Sequence, residues 1–196
     1  GDDAGFRLHE LCVFKFDDLT HPRILRASLI QPTLRAHLSP KHPVIAYLHL
    51  EESGEHANLE VMPLAGGESL VIRQQVSPAF DWMPDGRTLV FAAPVDGHEG
   101  KLMSISFATA VQESGALMKP ASEKQADGSW KSIEGPDRFA GFTSAATVLM
   151  VSQPRVQALP DGRVLLACQP ITLPMVRTEP ELDPRLYLLA ADRQSI

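Results

Sequence analysis

The chain has 196 residues, a net charge of −6 and 44% hydrophobic residues, enough apolar material to bury a substantial core. Lysine and arginine residues do not form a run. The concentrated positive charge that nucleic acids and anionic membrane surfaces attract is therefore absent, and we expect no nucleic-acid partner. No apolar stretch reaches the roughly 18 residues of a membrane-spanning helix, so we also expect no membrane insertion.

The first predicted element is a pair of strands. Residues 11–19 form a mostly apolar strand pattern, and residues 23–30 are predicted to be its outer neighbour. Residues 1–5, at the start of the chain, contain neither the basic nor the apolar segment of a signal peptide. An exported protein that has lost its signal is compatible with this start. We expect a periplasmic or secreted location, and a cytoplasmic location stays open.

Three later segments share one pattern, in which an apolar alternating run meets a proline, a polar turn and a second apolar run. They are residues 34–47, 79–92 and 155–168. Asp-Gly supplies the positive φ angles of a tight hairpin turn, and the alternating runs supply the paired strands. The predicted structural turn residues are Pro84, Asp85, Gly86, Pro160, Asp161 and Gly162. The first segment has Lys41-His42 in place of Asp-Gly.

A further strand pattern follows each hairpin, at residues 58–72, 101–107 and 185–192. The prolines at positions 40 and 84 are 44 residues apart, which matches a four-stranded blade of about 40–45 residues. The second strand of a hairpin, such as residues 89–93, is apolar almost throughout. This composition predicts burial on both faces, as in a sheet stacked between neighbours.

The prolines at positions 84 and 160 are 76 residues apart, which exceeds the 44-residue spacing of the first two by 32 residues. An extra 32 residues are too few for a further blade. We therefore predict an insertion at residues 109–145, interpreted as a long blade-connecting loop that is partly disordered or folded as a small flap. Trp130 lies within its polar part. It is a candidate partner contact, although it could also form the insertion's own small core.

The second repeat, Asp-Trp-Met-Pro-Asp-Gly-Arg-Thr-Leu-Val-Phe at residues 81–91, resembles the WD40-like repeat of TolB-type β-propellers. The same repeat occurs in the propellers of prolyl-oligopeptidase-like enzymes. Residues 59–68 resemble the third strand and glycine turn of that family. The repeat departs from the family in having Met83 where serine is usual. The resemblance implies an all-β fold, an incomplete β-propeller of about three to four four-stranded blades with one long insertion, within a single domain or fragment spanning residues 1–196.

The repeats predict the last two strands of one blade, two complete blades and most of another. Closed propellers usually have four to eight blades, and an open arc leaves sheet faces and edges uncovered. We expect the chain to be a fragment of a longer protein. Two alternatives stay open: a homodimer that closes the ring, and blades that are capped by the insertion and the termini.

The sequence offers no catalytic motif. It has no Gly-x-Ser-x-Gly nucleophile elbow, no phosphate-binding glycine loop and no His-Glu-x-x-His pair. His37, His42, His49 and His56 are close in sequence, but we interpret them as surface or edge residues that point in different directions. Cys12 and Cys168 are interpreted as two small buried side chains, with a single bridge between them as the alternative.

We therefore predict no catalytic residues, no cofactor and no metal. The predicted function is non-catalytic binding of a protein partner by loops on a rigid propeller scaffold. Two alternatives stay open. The chain could be the accessory propeller of a prolyl-oligopeptidase-like hydrolase whose catalytic domain is encoded elsewhere, or it could be a glycan-binding propeller.

Overall fold

The computed structural model describes residues 9–15, 17–29, 35–50, 57–94, 102–119, 122–132, 143–149, 155–168 and 185–191. Within these ranges the chain forms β-strands and no helix. The strands are β1 (His9–Lys15), β2 (Asp18–Leu29), β3 (Ala36–Leu38), β4 (Val44–Leu50), β5 (Ala57–Pro63), β6 (Leu70–Val76), β7 (Phe80–Trp82), β8 (Thr88–Pro94), β9 (Leu102–Thr109), β10 (Ser122–Lys124), β11 (Trp130–Ser132), β12 (Thr143–Leu149), β13 (Arg155–Ala158), β14 (Val164–Cys168) and β15 (Arg185–Leu189). Consequently, none of the described residues belongs to a helix that is long and apolar enough to cross a membrane.

The strands form four successive antiparallel sheets and one separate hairpin. The N-terminal hairpin is β1–β2, the first blade is β3-β4-β5-β6, and the second blade is β7-β8-β9-β12. The third blade has the order β13-β14-β15 in the described part, and β10–β11 pair only with each other. Except for the step from β9 to β12, neighbouring strands within each sheet follow one another along the chain, as in the blades of a propeller.

The blades pack face to face because their second strands are apolar on both sides. In β4, Val44, Ala46 and Leu48 contribute to a core shared with the second blade, whereas Ile45 and Tyr47 face the N-terminal hairpin. A further core joins the second blade to the third. The all-β fold and the incomplete, unclosed propeller predicted from the repeats are confirmed by this arrangement.

The long insertion lies within the second blade, between its third and fourth strands. The strand β12 pairs with β9, and Thr143 is opposite Phe107. The interpretation of residues 109–145 as a blade-connecting loop is therefore wrong, because its last residues begin the outer strand of the same sheet. Thr143–Leu149 consists mainly of small residues and threonine, a composition that gave no strong strand signal in the sequence.

The third hairpin differs from the first two by one residue in register. Trp82 pairs with Leu89 in the second blade, and Leu38 pairs with Ile45 in the first. At the corresponding place in the third blade, Ala158 pairs with Val164, one residue closer to the turn. The repeat pattern alone predicts the same register for all three hairpins.

A shift of one residue reverses the two faces of a strand, because successive side chains point to opposite sides of the sheet. In β8, Leu89 and Phe91 face the preceding blade. In β14, Val164 and Leu166 face the preceding blade instead, so Leu165 faces away from it. The strand accepts either orientation because it is apolar throughout.

Candidate functional site: two carboxylates between the sheets

The first polar cluster joins the N-terminal hairpin to the first blade. Adjacent positions of the first blade bring together Tyr47 and His49 on β4 with Glu60 on β5. Ser69 precedes β6, and Arg26 reaches over from β2. We call Arg26, Tyr47, His49, Glu60 and Ser69 the Glu60 cluster.

Glu60 is 3% exposed and accepts hydrogen bonds from four side chains of this cluster. Its Oε2 atom accepts from Arg26 Nη1 at 2.6 Å, from the Tyr47 hydroxyl at 2.6 Å and from Ser69 Oγ at 2.8 Å. Its Oε1 atom accepts from His49 Nδ1 at 2.8 Å. A buried carboxylate needs such compensation, because leaving water without partners is costly for a charge.

The cluster fixes the charge states of its members. Burial alone would raise the pKa of Glu60, but the hydrogen bonds from Tyr47, Ser69 and His49 and the charge of Arg26 outweigh it and hold that pKa below its usual value. Burial, followed by the hydrogen bond to Glu60, raises the pKa of Tyr47 to about 12. At neutral pH the glutamate is therefore an ionised acceptor and the tyrosine a protonated donor.

The second polar cluster joins all three blades at their first strands. Asp81 on β7 accepts a hydrogen bond from His37 Nδ1 of β3 at 3.1 Å, and from the backbone N–H of Ala158 on β13 at 3.0 Å. Arg35 donates from Nε to His37 Nε2 at 3.0 Å. The indole N–H of Trp82 donates to the backbone carbonyl of His37 at 2.9 Å. We call Arg35, His37, Asp81 and Trp82 the Asp81 cluster.

The hydrogen-bond directions in this cluster define the tautomer of His37. Since Arg35 donates to Nε2, that atom accepts, and the ring proton lies on Nδ1, which donates to Asp81. Burial alone would raise the pKa of Asp81. The hydrogen bonds from His37 and from the backbone N–H groups of Ala158 and Trp82 outweigh burial and lower the pKa below its ordinary value of 3.8.

Both carboxylates are occupied by contacts within the protein. Glu60 connects β2, β4 and β5, and Asp81 connects β3, β7 and β13, so each holds separate sheets at a fixed distance. A general acid needs a raised pKa, and a general base needs an accessible lone pair near a substrate. The pKa of each carboxyl is lowered rather than raised, which does not suit a general acid, and the hydrogen bonds of both carboxylates hold neighbouring sheets together.

Sequence reasoning missed both clusters. His37 and His49, interpreted as surface or edge residues, are partly buried and hydrogen-bonded to carboxylates. Their partners lie 44 and 11 residues away along the chain, a separation at which no local pattern reports contact. The available signal was positional: Asp81 occupies in the second repeat the place that His37 occupies in the first.

The predicted turn residues of the second repeat lie in the β7–β8 turn. Gly86 has a φ of 67°, and its backbone carbonyl accepts a hydrogen bond from Ser39 Oγ of the first blade at 2.7 Å. A Cβ atom at Gly86 would lie 2.7 Å from the Cβ of Lys41. The carboxylate of Asp85 accepts from the N–H groups of Arg87 and Thr88 and, at 2.7 Å, from the Thr88 hydroxyl.

The corresponding residues of the third repeat form a simpler turn. Gly162 has a φ of 87°, and a Cβ atom there would meet only the side chain of Ala191, at 3.7 Å. Asp161 accepts from the N–H of Arg163 at 3.1 Å and from its Nε at 2.7 Å. Pro84 and Pro160 each lie at the start of their turn.

The other predicted positions lie apart from the two clusters. Trp130 is the first residue of β11 and pairs with Lys124, and its side chain lies outside the described part of the structure. Cys12 is a free thiol on β1, and the side chain of Cys168 lies outside the described part. Among the described residues, no group of three or more histidine, cysteine, aspartate or glutamate side chains is placed to hold a metal ion. His56 also falls outside the described residues.

Comparisons with known proteins give weak structural resemblances. The chain is similar to the β-propeller domain of the Trilobed protease from Pyrococcus furiosus, described as having an open velcro topology, with a TM-score of 0.39 and 15% identity over 86% of this chain. It is also similar to a protein from Agrobacterium tumefaciens assigned as TolB, with a TM-score of 0.34 and 17% identity over 81% of this chain. It spans 57% and 61% of these two chains.

No protein-family model and no curated protein matches the sequence. The two solved structures are of the kinds named by the resemblance of the Pro-Asp-Gly repeat, a TolB and a propeller of a protease. At these TM-scores the assignment of the fold rests on the order and packing of the sheets.

Proposed function

We propose that this chain is a non-catalytic binding module that presents loop segments to a protein partner on a rigid arc of propeller blades. The observation that carries the proposal is the occupation of both carboxylates, Glu60 and Asp81, by contacts between sheets. Rigid blades lower the entropic cost of binding, because the surface that meets the partner is ordered before the encounter.

The insertion in the second blade is the segment that we propose for the partner contact. Its base is anchored: Ala110 and Val111 are buried, and Arg87 Nε donates to the carbonyl of Val111 at 3.0 Å. Beyond this base, β10–β11 form a hairpin of their own that includes Trp130. An anchored base with a separate hairpin suits presentation of a tryptophan, a residue type enriched at the centres of binding interfaces.

The test is recovery of a protein partner by the purified chain from an extract of its source, followed by titration calorimetry with the partner so identified. We expect Trp130→Ala to weaken that affinity at least about tenfold, as for a typical interface anchor. Lys131→Ala, one residue along the same strand, is the matched control and should retain the affinity. Unchanged affinity of Trp130→Ala, with unchanged thermal unfolding of both variants, would contradict the proposed contact.

The complete reading frame of the gene tests the remaining parts of the proposal. We also propose that the protein is exported, and an exported location requires a signal segment upstream in that reading frame. A serine hydrolase domain encoded downstream would replace the binding function with that of an accessory propeller. Binding to a glycan array without any protein partner would instead favour the glycan-binding alternative.

A further inference from the structure

Exposed apolar side chains are concentrated at the two ends of the arc. Among the described residues, the large apolar side chains with substantial exposure are Phe14, Leu19 and Ile24 in the N-terminal hairpin, Leu186 and Leu188 in β15, and Leu38 in the first blade. The second blade contributes none within the described ranges. Contiguous exposed apolar surface on a folded protein marks an interaction site.

At the first end, Phe14 and Ile24 share the outward side of the N-terminal hairpin. Leu11 and Leu25 pack against the first blade. Cys12, adjacent to Leu11, therefore points away from the blade and pairs with Ile24, which is 49% exposed. Phe14, two positions after Cys12, is 50% exposed. Glu10, two positions before Cys12, accepts a hydrogen bond from the Cys12 thiol on the same side, so this outward side is a two-stranded apolar surface with one carboxylate.

At the other end, the third blade presents a sheet face that is apolar on β14 and β15 and carries the exposed Arg155 and Gln157 on β13. Leu188 pairs with Leu165, and Leu186 pairs with Ala167, so these four side chains share one side of the sheet. The opposite side, with Val164 and Leu166, is buried against the second blade. Leu186 is 71% exposed. In the described part, β15 also has a neighbour on one edge only, whereas the first two blades have four strands each.

The two internal interfaces show how such faces are covered in this protein. Between the second and third blades, Val90 and Ala92 of one sheet are buried by Val156 and Leu166 of the next. The outward face of the third blade is the next face in this row of stacked sheets. By the same packing, we expect it to be covered by the apolar face of another sheet. The N-terminal hairpin carries a face of that kind.

We infer that two copies of this chain bind head to tail, with the outward face of the third blade of one copy packed on the outward face of the N-terminal hairpin of the other. Each copy uses both of its ends once, so a two-fold axis relates two identical contacts and the assembly closes. The described ranges of each copy supply four stacked sheets, and a ring of two copies then contains eight of them, within the four to eight of known propellers. This assembly is independent of the partner contact proposed at Trp130.

Three single variants of the 196-residue chain test the assembly by light scattering coupled to size exclusion, over about 1 to 100 µM. The unmodified chain should have the mass of a dimer. Ile24→Glu, which blocks the first end, and Leu186→Glu, which blocks the second, should each be monomeric. Because each closed ring contains the substitution at both contacts, its dissociation constant should rise at least about 100-fold. Ala116→Glu, at an exposed position in the insertion of the second blade, should remain dimeric.

Mixing the two blocked variants gives the decisive result. The free second end of Ile24→Glu can still meet the free first end of Leu186→Glu, so an equimolar mixture should recover a dimer that neither variant forms alone. A mixture that stays monomeric would overturn the head-to-tail arrangement, as would dimerisation that only one of the two variants abolishes. A monomeric unmodified chain at about 100 µM would overturn the assembly altogether and indicate closure within a longer polypeptide. Circular dichroism of each variant confirms that a monomer is folded.

Discussion

The turns of the second and third blades have the same four residues, Pro-Asp-Gly-Arg, and yet produce hairpins of different register. In the second blade the residue after Arg87 is Thr88, whose hydroxyl and N–H both bond to Asp85, and the strand begins beyond this turn. In the third blade the next residue is Val164, which has no hydroxyl, and the N–H of Leu159 donates to the Arg163 carbonyl instead. One side chain outside the shared motif therefore accompanies the change in register.

The two turns also differ in their surroundings. Gly86 is packed against Ser39 and Lys41 of the preceding blade, whereas Gly162 approaches only a side chain of its own blade. The same motif thus serves as an inter-blade contact in one place and as a local turn in the other. The motif predicts a turn in both blades. How much these residues contribute to the free energy of unfolding depends on their contacts with the neighbouring blade.

The largest expected effect comes from replacing the two glycines. Gly86→Ala combines an unfavourable positive φ with a Cβ atom 2.7 Å from Lys41 Cβ, and we expect it to lower the free energy of unfolding by about 3 kcal/mol. Gly162→Ala meets only the unfavourable φ and should cost about 1 kcal/mol. Urea unfolding measures both. Equal losses would show that the contact between blades adds nothing at Gly86.

The next effect concerns the position three residues before each proline, which is Asp81 in the second repeat and Gln157 in the third. Asp81→Ala leaves the N–H groups of His37 and Ala158 without their acceptor and should cost about 2 kcal/mol. Gln157 is exposed, so Gln157→Ala should change the free energy of unfolding by less than about 0.5 kcal/mol. Chemical unfolding at neutral pH measures this difference.

The Asp81 contribution should also depend on pH. The folded state lowers the pKa of Asp81 below 3.8, so its stabilising effect is complete above the unfolded-state pKa and is lost as pH falls through the folded-state value. Unfolding curves between about pH 6 and pH 3 should therefore show a shallower loss of stability for Asp81→Asn than for the unmodified chain. Identical slopes for the two proteins would contradict the lowered pKa.

A smaller effect is expected from the turn aspartates. Asp85→Ala removes the acceptor of three hydrogen bonds and should cost about 1.5 kcal/mol. Asp161 is exposed and bonds to Arg163, so Asp161→Ala should lower the free energy of unfolding by less than Asp85→Ala does. Thermal unfolding of the two variants shows which one loses more stability. A larger decrease of the melting temperature for Asp161→Ala than for Asp85→Ala would contradict this prediction.

The smallest effect tests the residue that differs between the turns. Thr88→Val removes one hydroxyl donor and should cost about 1 kcal/mol, with Trp82 still paired to Leu89 because the contact of Gly86 with Ser39 is unchanged. Nuclear Overhauser contacts across the hairpin report the register directly. Pairing of Trp82 with position 88 in this variant would show that Thr88 alone determines the register of the hairpin.

The sequence predicted what depends on local patterns. The hairpin turns, the apolar second strands and the count of about three and a half blades follow from Pro-Asp-Gly punctuation and strand periodicity. The register of the third hairpin did not follow, because Val164–Cys168 is apolar on both sides and lacks the alternation that would identify a face.

The two carboxylate clusters lay beyond sequence reasoning for a different reason. Glu60 meets His49 across neighbouring strands of one blade, 11 residues along the chain. Asp81 meets His37 and the N–H of Ala158, 44 and 77 residues away, only because the blades stack. Arg26 and Glu60, for example, meet across two sheets, and neither lies in a motif that announces the other. Sequence patterns thus predicted the sheets, but the hydrogen bonds between the sheets became visible only in the structure.

The insertion within the second blade has a consequence for synthesis of the chain. The strand β9 ends at Thr109, but its outer neighbour begins only at Thr143. At about 5–20 residues per second, a ribosome needs a few seconds to supply the missing strand. During that interval β9 is an open edge of an apolar sheet, the kind of surface to which other nascent chains attach. A shortened insertion should therefore raise the yield of soluble protein on expression.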